Sequence, residues 1–264
     1  MLLSWLKSRR RRRLREAPFP PAWTDLLRRT VRQVEWLAAD ERRQLESWIA
    51  VFLAEKRFEG CGGMDITDEV RLAVAGQAGI VALGLGVEYF DRLRSILVHP
   101  DDFRVPNSAP LGGDLALEWE EARLGETWTG GSMSLSWPDV MDGGRMRDGP
   151  RSVVIHEFAH QVDGLDGEID GLPPAPPARA RGWAAAWAAC RERFDSALDD
   201  GHATAFDDYA AESPAEFFAV ASECFFQDPH GLVRQDRLLH ELLTEAWRQD
   251  PLTRVPPQAR GRRR

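Results

Sequence analysis

Val153-Val-Ile-His156-Glu157-Phe158-Ala159-His160 is the stretch on which the reading of this chain turns. Histidines four residues apart lie on one face of a helix, a turn apart, so both imidazoles can reach a single ion. Glu157 follows the first histidine directly. It cannot share the ligand direction, but it can hydrogen-bond a water held on the metal. Zinc brings the pKa of such a water toward ~7, and a carboxylate takes the proton as the hydroxide attacks a carbonyl. With this composition, H-E-x-x-H arises by chance roughly 0.01 times per chain, so the motif still needs a fitting context. That context is apolar. Val153, Val154, Ile155, Phe158, Ala159 and Val162 surround the motif, which makes the helix a buried one. Two buried imidazoles need a partner.

A hydrolytic zinc site needs a third protein ligand and one open position. Three sources compete. A metzincin-type pattern would use Asp166, but Asp163 then stands where a glycine belongs and Gly164 comes one residue late. A third histidine would be His99, His202, His230 or His240, none of them near the motif in a helical register. A gluzincin-type site takes a glutamate from a later helix, and Tyr209-Ala-Ala-Glu212-Ser213-Pro214-Ala-Glu216 through Glu223 supplies candidates. Ser213-x-x-Glu216 with Pro214 at the first helical position is also a capping box, which explains Glu216 without any metal. Glu212 and Glu223 are rivals, and spacing leaves the choice open. Asp163, near the end of the motif helix, either orients an imidazole or is solvated.

Outward from the motif, the pattern is mixed. Residues 24–57 keep helical spacing with a break at Asp40, and the three glycines at 60, 62 and 63 end it. Thr67 reads as the N-cap of a helix running to about Leu83. Ser95–His99 is a short apolar run stopped by Pro100, hence a strand. Glu126–Trp128 and Ser132–Trp137 read as two short strands around Gly130-Gly131, with Met133, Leu135 and Trp137 on one face. The Ser132–Trp137 segment is a candidate edge for pairing with an extended peptide. A proline-rich loop over 171–182 and helices near 179–198, 213–226 and 234–248 follow. The predicted fold class is α+β, with helices around a small, mostly antiparallel sheet. Residues 19–250 form one domain, flanked by disordered arginine-rich tails at 1–18 and 251–264.

Charge and cysteine content exclude several classes. Net charge is −8, but residues 1–16 sum to +6 and 251–264 to +5, leaving −19 on the body between. An acidic body does not bind nucleic acid through its folded face. The arginine tails themselves would suit nucleic acid or an anionic membrane, although such termini are more often solvated. The three cysteines (Cys61, Cys190 and Cys224) have no paired spacing, which fits a reducing compartment. No stretch approaches the ~20 apolar residues of a membrane span. Met1-Leu-Leu-Ser-Trp-Leu precedes the arginines, the reverse order of a secretory signal. A cytoplasmic location is expected.

The segments Gly125-Glu-Thr-Trp128, Leu135-Ser-Trp137, His156-Glu-Phe-Ala-His160-Gln-Val-Asp163 and Tyr209-Ala-Ala-Glu-Ser-Pro-Ala-Glu216-Phe-Phe-Ala-Val together resemble the Mlc titration factor A family. These are bacterial zinc-dependent peptidases with a catalytic core similar to that of anthrax lethal factor. The resemblance runs from about residue 40 to 245 and omits both arginine tails. It implies a zincin-like core with one Zn2+ per chain on His156, His160 and Glu216. It implies Glu157 as the general base and Tyr209, seven residues before Glu216, near the metal. The implied activity is aminopeptidase-like hydrolysis of short peptides. The implied alternative is sequestration of a transcriptional repressor, with proteolysis secondary; a pure binding protein would have no need of Glu157.

Overall fold

Helix α4 (Asp68–Ala82) is buried on every side from Leu72 through Ala82 and forms the centre of the molecule. A helix apolar all round has to be enclosed by others. The computed structural model describes residues 2–101, 131–147 and 149–257. Around α4 lie α2 (Pro21–Thr30), α3 (Ala39–Glu55), α5 (Trp137–Arg145) and α6 (Val153–Asp163), while α1 (Leu2–Glu16) packs on α3. Next in the chain come α7 (Trp183–Asp199), α8 (Pro214–Gln227), α9 (Pro229–Gln235) and α10 (Arg237–Trp247). Thr67 caps α4 as expected, its hydroxyl accepting the Val70 N–H at 3.4 Å. The break in the 24–57 stretch comes earlier than Asp40. Thr30 ends α2, and a short 3-10 turn, Arg32–Trp36, precedes α3.

Among the described residues three strands form one sheet in the order β1 (Arg57–Gly60), β2 (Ser95–His99), β3 (Ser132–Ser136). Both pairings are parallel, with Phe58 opposite Ile96 and Ile96 opposite Met133. The expected, mostly antiparallel sheet is therefore corrected. Parallel neighbours need a crossover. Helix α4 supplies the first, and the connection from His99 to Ser132 is long enough for the second. The partner strand expected at Glu126–Trp128 lies outside the described residues. Alternation in β3 is as expected, with Met133 and Leu135 buried. Trp137, however, leaves the strand and opens α5, because Ser136 accepts the Asp139 N–H and Pro138 suits the first turn.

The motif helix α6 is capped by Ser152, whose hydroxyl accepts the Ile155 N–H at 3.2 Å. Its apolar back is held by Phe158, fully buried against Phe90 (centroids 4.8 Å) and Phe52 (5.9 Å). Helices α6 and α8 run antiparallel. Ser152 at the start of α6 meets Glu223 late in α8, and at the other end Gly171 N donates to Asp163. Gly171 has φ +75°, and a Cβ there would lie 2.0 Å from the Pro214 carbonyl oxygen. This close backbone approach, open only to glycine, seats the start of α8 beside the end of α6.

The first arginine stretch, expected as a disordered tail, is a docked helix. Arg11 donates to both carboxylate oxygens of Glu55 (2.8 and 2.6 Å) and pairs with Asp91, which also takes Lys7 at 2.7 Å. The hydrogen bond from Arg11 holds the Glu55 carboxyl below its ordinary 4.5, against the opposing effect of burial. A depressed carboxylate stabilises the folded state above pH ~4.5 and loses that contribution as pH falls. Arg11→Met leaves the half-buried Glu55 without its partner, so we expect a loss on the order of 1 kcal/mol. The difference from wild type should shrink below pH ~4.5, as read by urea unfolding at several pH values. At the other end, Pro251 and Val255 are buried and Arg254 reaches Glu41 at 3.2 Å, so docking continues past residue 250.

Candidate metal centre

The packing of α6 on α8 brings His156, His160 and Glu216 together, with ligand-type atoms all within 4.8 Å of one another. His156 Nε2 lies 3.2 Å from His160 Nε2 and 3.0 Å from a Glu216 oxygen, and His160 Nε2 lies 3.4 Å from the other Glu216 oxygen. An ion held tetrahedrally at about 2.0–2.1 Å has ligand–ligand edges of roughly 3.3 Å. The three observed separations match that figure, so the donor set fits a single such ion. The arrangement is poor as hydrogen bonding alone, because two imidazole nitrogens and a carboxylate converge on one point.

Glu216 faces the histidines instead of the helix terminus. Ser213 accepts the Glu216 N–H at 3.1 Å, which is half of a capping box. The glutamate side chain is directed into the cluster, where hydrogen bonds with His156 and His160 overcome burial and hold its carboxyl down at about 2. Burial alone would lower the His156 pKa, but the hydrogen bonds to Glu216 and Glu223 outweigh it and raise the imidazole well above 6.5. These two carboxylates therefore favour a second proton on the ring. A metal has to displace it, because a histidine ligand must be neutral. Binding at pH 7 is expected to release about one proton per ion, and apparent affinity should rise roughly tenfold per pH unit until the raised His156 pKa is passed. Calorimetry in buffers of different ionisation heat measures this, and zero proton release would contradict the assignment.

Glu223 has a different place from the rival-ligand role open to it in the sequence. One oxygen sits 2.9 Å from His156 Nδ1, and the other accepts the Ser152 N–H. It holds the ring so that Nε2 points to the cluster, as outer carboxylates do in metal sites. The signal was present: Glu216 and Glu223 are seven residues apart, two turns along one face of α8. Ser152 also donates from its hydroxyl to Gln77 at 2.8 Å, which ties the cluster to α4. Asp163 is buried, takes the Gly171 N–H at 2.9 Å, and is raised by burial to about 6. Glu212 and Asp166 are exposed and outside the cluster.

A cavity of about 910 Å³ opens beside the cluster, lined by His156, Glu157, Arg151, Asp207, Tyr209 and Glu223 among others. Burial pushes the Glu157 carboxyl above its ordinary value, with His156 and His160 pulling the other way. A carboxylate raised in this way suits proton transfer near neutral pH. Tyr209 is 44% exposed, with its ring centroid 6.2 Å from that of His156. Asp207 sets the tyrosine's turn by accepting the Tyr209 N–H at 3.0 Å, and it also pairs with Arg151, next to the α6 cap. Nothing in the residue pattern tied Asp207 to the cavity, because Arg151 lies far from it in the chain.

The profile of the glucose-regulated metallo-peptidase M90 family matches residues 5–248. An uncharacterized protein of Synechocystis sp. is 35% identical over 246 residues, which cover 92% of this chain and 89% of that one. Mlc titration factor A of Klebsiella pneumoniae is 29% identical over 222 residues, 83% of each chain. Mlc titration factor A of Serratia proteamaculans is 29% identical over 221 residues, 82% of this chain and 84% of the other. The match extends over the motif helix, the helix that bears Glu216 and most of the chain on either side, and on this ground the chain belongs to the glucose-regulated metallo-peptidase M90 family.

Proposed function

We propose that residues 19–250 form one catalytic domain, a zinc-dependent metallopeptidase of gluzincin type that hydrolyses peptide bonds. The observation that carries the reading is the convergence of His156, His160 and Glu216 beside Glu157 at the edge of a large cavity. Two imidazoles and one carboxylate are a borderline nitrogen–oxygen set that suits zinc, one ion per chain. When bound, zinc supplies Lewis-acid polarisation of the scissile carbonyl and lowers the pKa of the attacking water. Glu157 takes the proton from that water and passes it to the leaving amine. Tyr209, placed by Asp207, donates its phenol hydrogen to the oxyanion that develops on the carbonyl. Glu223 takes the Nδ1 side of His156 and so leaves Nε2 aimed at the ion.

Aminopeptidase-like action on short peptides rests on the family resemblance and belongs to this proposal. So does a cytoplasmic location, supported by three free cysteines; among the described residues no helix is long and apolar enough to cross a membrane. A second reading, association with a transcriptional regulator, is favoured by the name of the relatives, Mlc titration factor A. An intact Glu157 favours hydrolysis over association alone. The test is metal analysis of the purified protein with a peptide-library cleavage assay. Absence of zinc after reconstitution would remove the proposal, and zinc without cleavage would leave the association reading.

A further inference from the structure

Among the described residues only four large apolar side chains are exposed: Trp5, Leu6, Ile169 and Tyr209. Tyr209 belongs to the cavity already described. Trp5 (56% exposed) and Leu6 (48%) are neighbours on α1, the helix that carries five consecutive arginines. That helix has two sides. Lys7, Arg11 and Leu14 lie at helical spacing and face the body, where Lys7 and Arg11 meet Asp91, Arg11 meets Glu55, and Leu14 packs on the core. The opposite side carries Trp5, Arg9 and Arg12, at i, i+4 and i+7, flanked by Leu6 and Arg13, themselves seven apart. The guanidinium of Arg9 lies over the Trp5 ring at 5.4 Å.

We infer that this outer face of α1 docks the protein on an anionic phospholipid surface. Stable attachment to a bilayer takes two signals, an apolar insertion and a basic patch, and α1 presents both on one face. Trp and Leu bury in the headgroup–acyl boundary while the arginines meet lipid phosphates. Lys7 and Arg11 are already committed to internal carboxylates, so Arg9, Arg12 and Arg13 form the contact. The rest of the chain sets the orientation. A body of −19 is repelled by an anionic surface, which turns the basic outer face of α1 toward it. Nucleic acid would use the same arginines, but it gives no account of a tryptophan and a leucine held out in solvent beside them.

The test uses the full chain, zinc-loaded, sedimented with vesicles of phosphatidylcholine plus phosphatidylglycerol and with vesicles of phosphatidylcholine alone. Wild type is expected to sediment with the anionic vesicles only, and less so at high salt. Arg9→Gln/Arg12→Gln/Arg13→Gln should weaken partitioning about a hundredfold, about fivefold per arginine, the equivalent of about 1 kcal/mol each. Trp5→Ala/Leu6→Ala should weaken it about tenfold and leave any binding to a short DNA duplex unchanged. Arg237→Gln, at an exposed arginine of α10, should change nothing. All the substituted side chains are exposed, and equal melting temperatures check that α1 remains docked. Failure of wild type to sediment with anionic vesicles overturns the inference. Undiminished partitioning of the Trp5/Leu6 variant overturns it in favour of charge alone, and tighter binding to the duplex than to vesicles overturns it in favour of nucleic acid. None of these outcomes depends on peptidase activity.

Discussion

Glu157→Gln should purify folded and loaded with zinc, and should hydrolyse peptides on the order of 10²–10⁴ times more slowly than wild type. The amide keeps the size of the carboxylate and can still hydrogen-bond a water, but it cannot take a proton. Glu157 is not among the three converging ligand-type residues, so metal content is unaffected. Burial raises the ordinary carboxyl pKa, and neutralising the side chain removes a desolvated charge, so the variant should be no less stable than wild type. The measurements are zinc per chain, melting temperature and turnover of a cleaved library peptide. Turnover equal to wild type would exclude Glu157 as the base and move the balance toward association with a protein partner.

The second large effect separates ligand, outer partner and cap. Glu216→Ala should lose zinc almost completely in competition with a chelator, since two histidines alone hold the ion. As a cap, the same substitution would cost roughly 1 kcal/mol of stability and leave zinc in place, because Ser213 still accepts the Glu216 N–H. Glu223→Ala should fall between, with affinity weakened about 10–100-fold because His156 loses the acceptor on Nδ1. Glu212→Ala should have no effect. Tyr209→Phe should retain zinc and lower kcat by the equivalent of about 3 kcal/mol, the usual size of an oxyanion donor. Tight zinc in Glu216→Ala with loss in Glu223→Ala would reverse the two assignments and leave the metal site standing.

The motif helix, the Thr67 start of α4 and the Ser213–Pro214 start of α8 were legible in the residues. Each rests on a local relation within about one turn, and local hydrogen bonds at helix starts carry over into the folded state. The strand at Ser95–His99 was legible for the same reason. The direction of its neighbours was not. Parallel or antiparallel pairing depends on what the connections do, and short local runs do not say that Ser132–Ser136 will lie parallel to Ser95–His99. The N-terminal arginine stretch read as a disordered tail, because the acceptors that hold it through Arg11, Glu55 and Asp91, lie 44 and 80 residues away.

The metal site divides in the same way. H-E-x-x-H needs only the pitch of a helix to put two imidazoles on one side, so those ligands and the adjacent glutamate were readable from the chain alone. The third donor was not, because Glu212, Glu216 and Glu223 are equivalent until α8 is laid against α6. Antiparallel packing, set by the Gly171–Pro214 approach at one end and the Ser152–Glu223 bond at the other, decides the outcome. It places Glu216 level with both Nε2 atoms and Glu223 one step behind, on Nδ1 of His156. Helical periodicity puts both glutamates on the same face. Only the axial offset between the two helices, a property of their packing, brings one into the donor cluster and sets the other against the histidine.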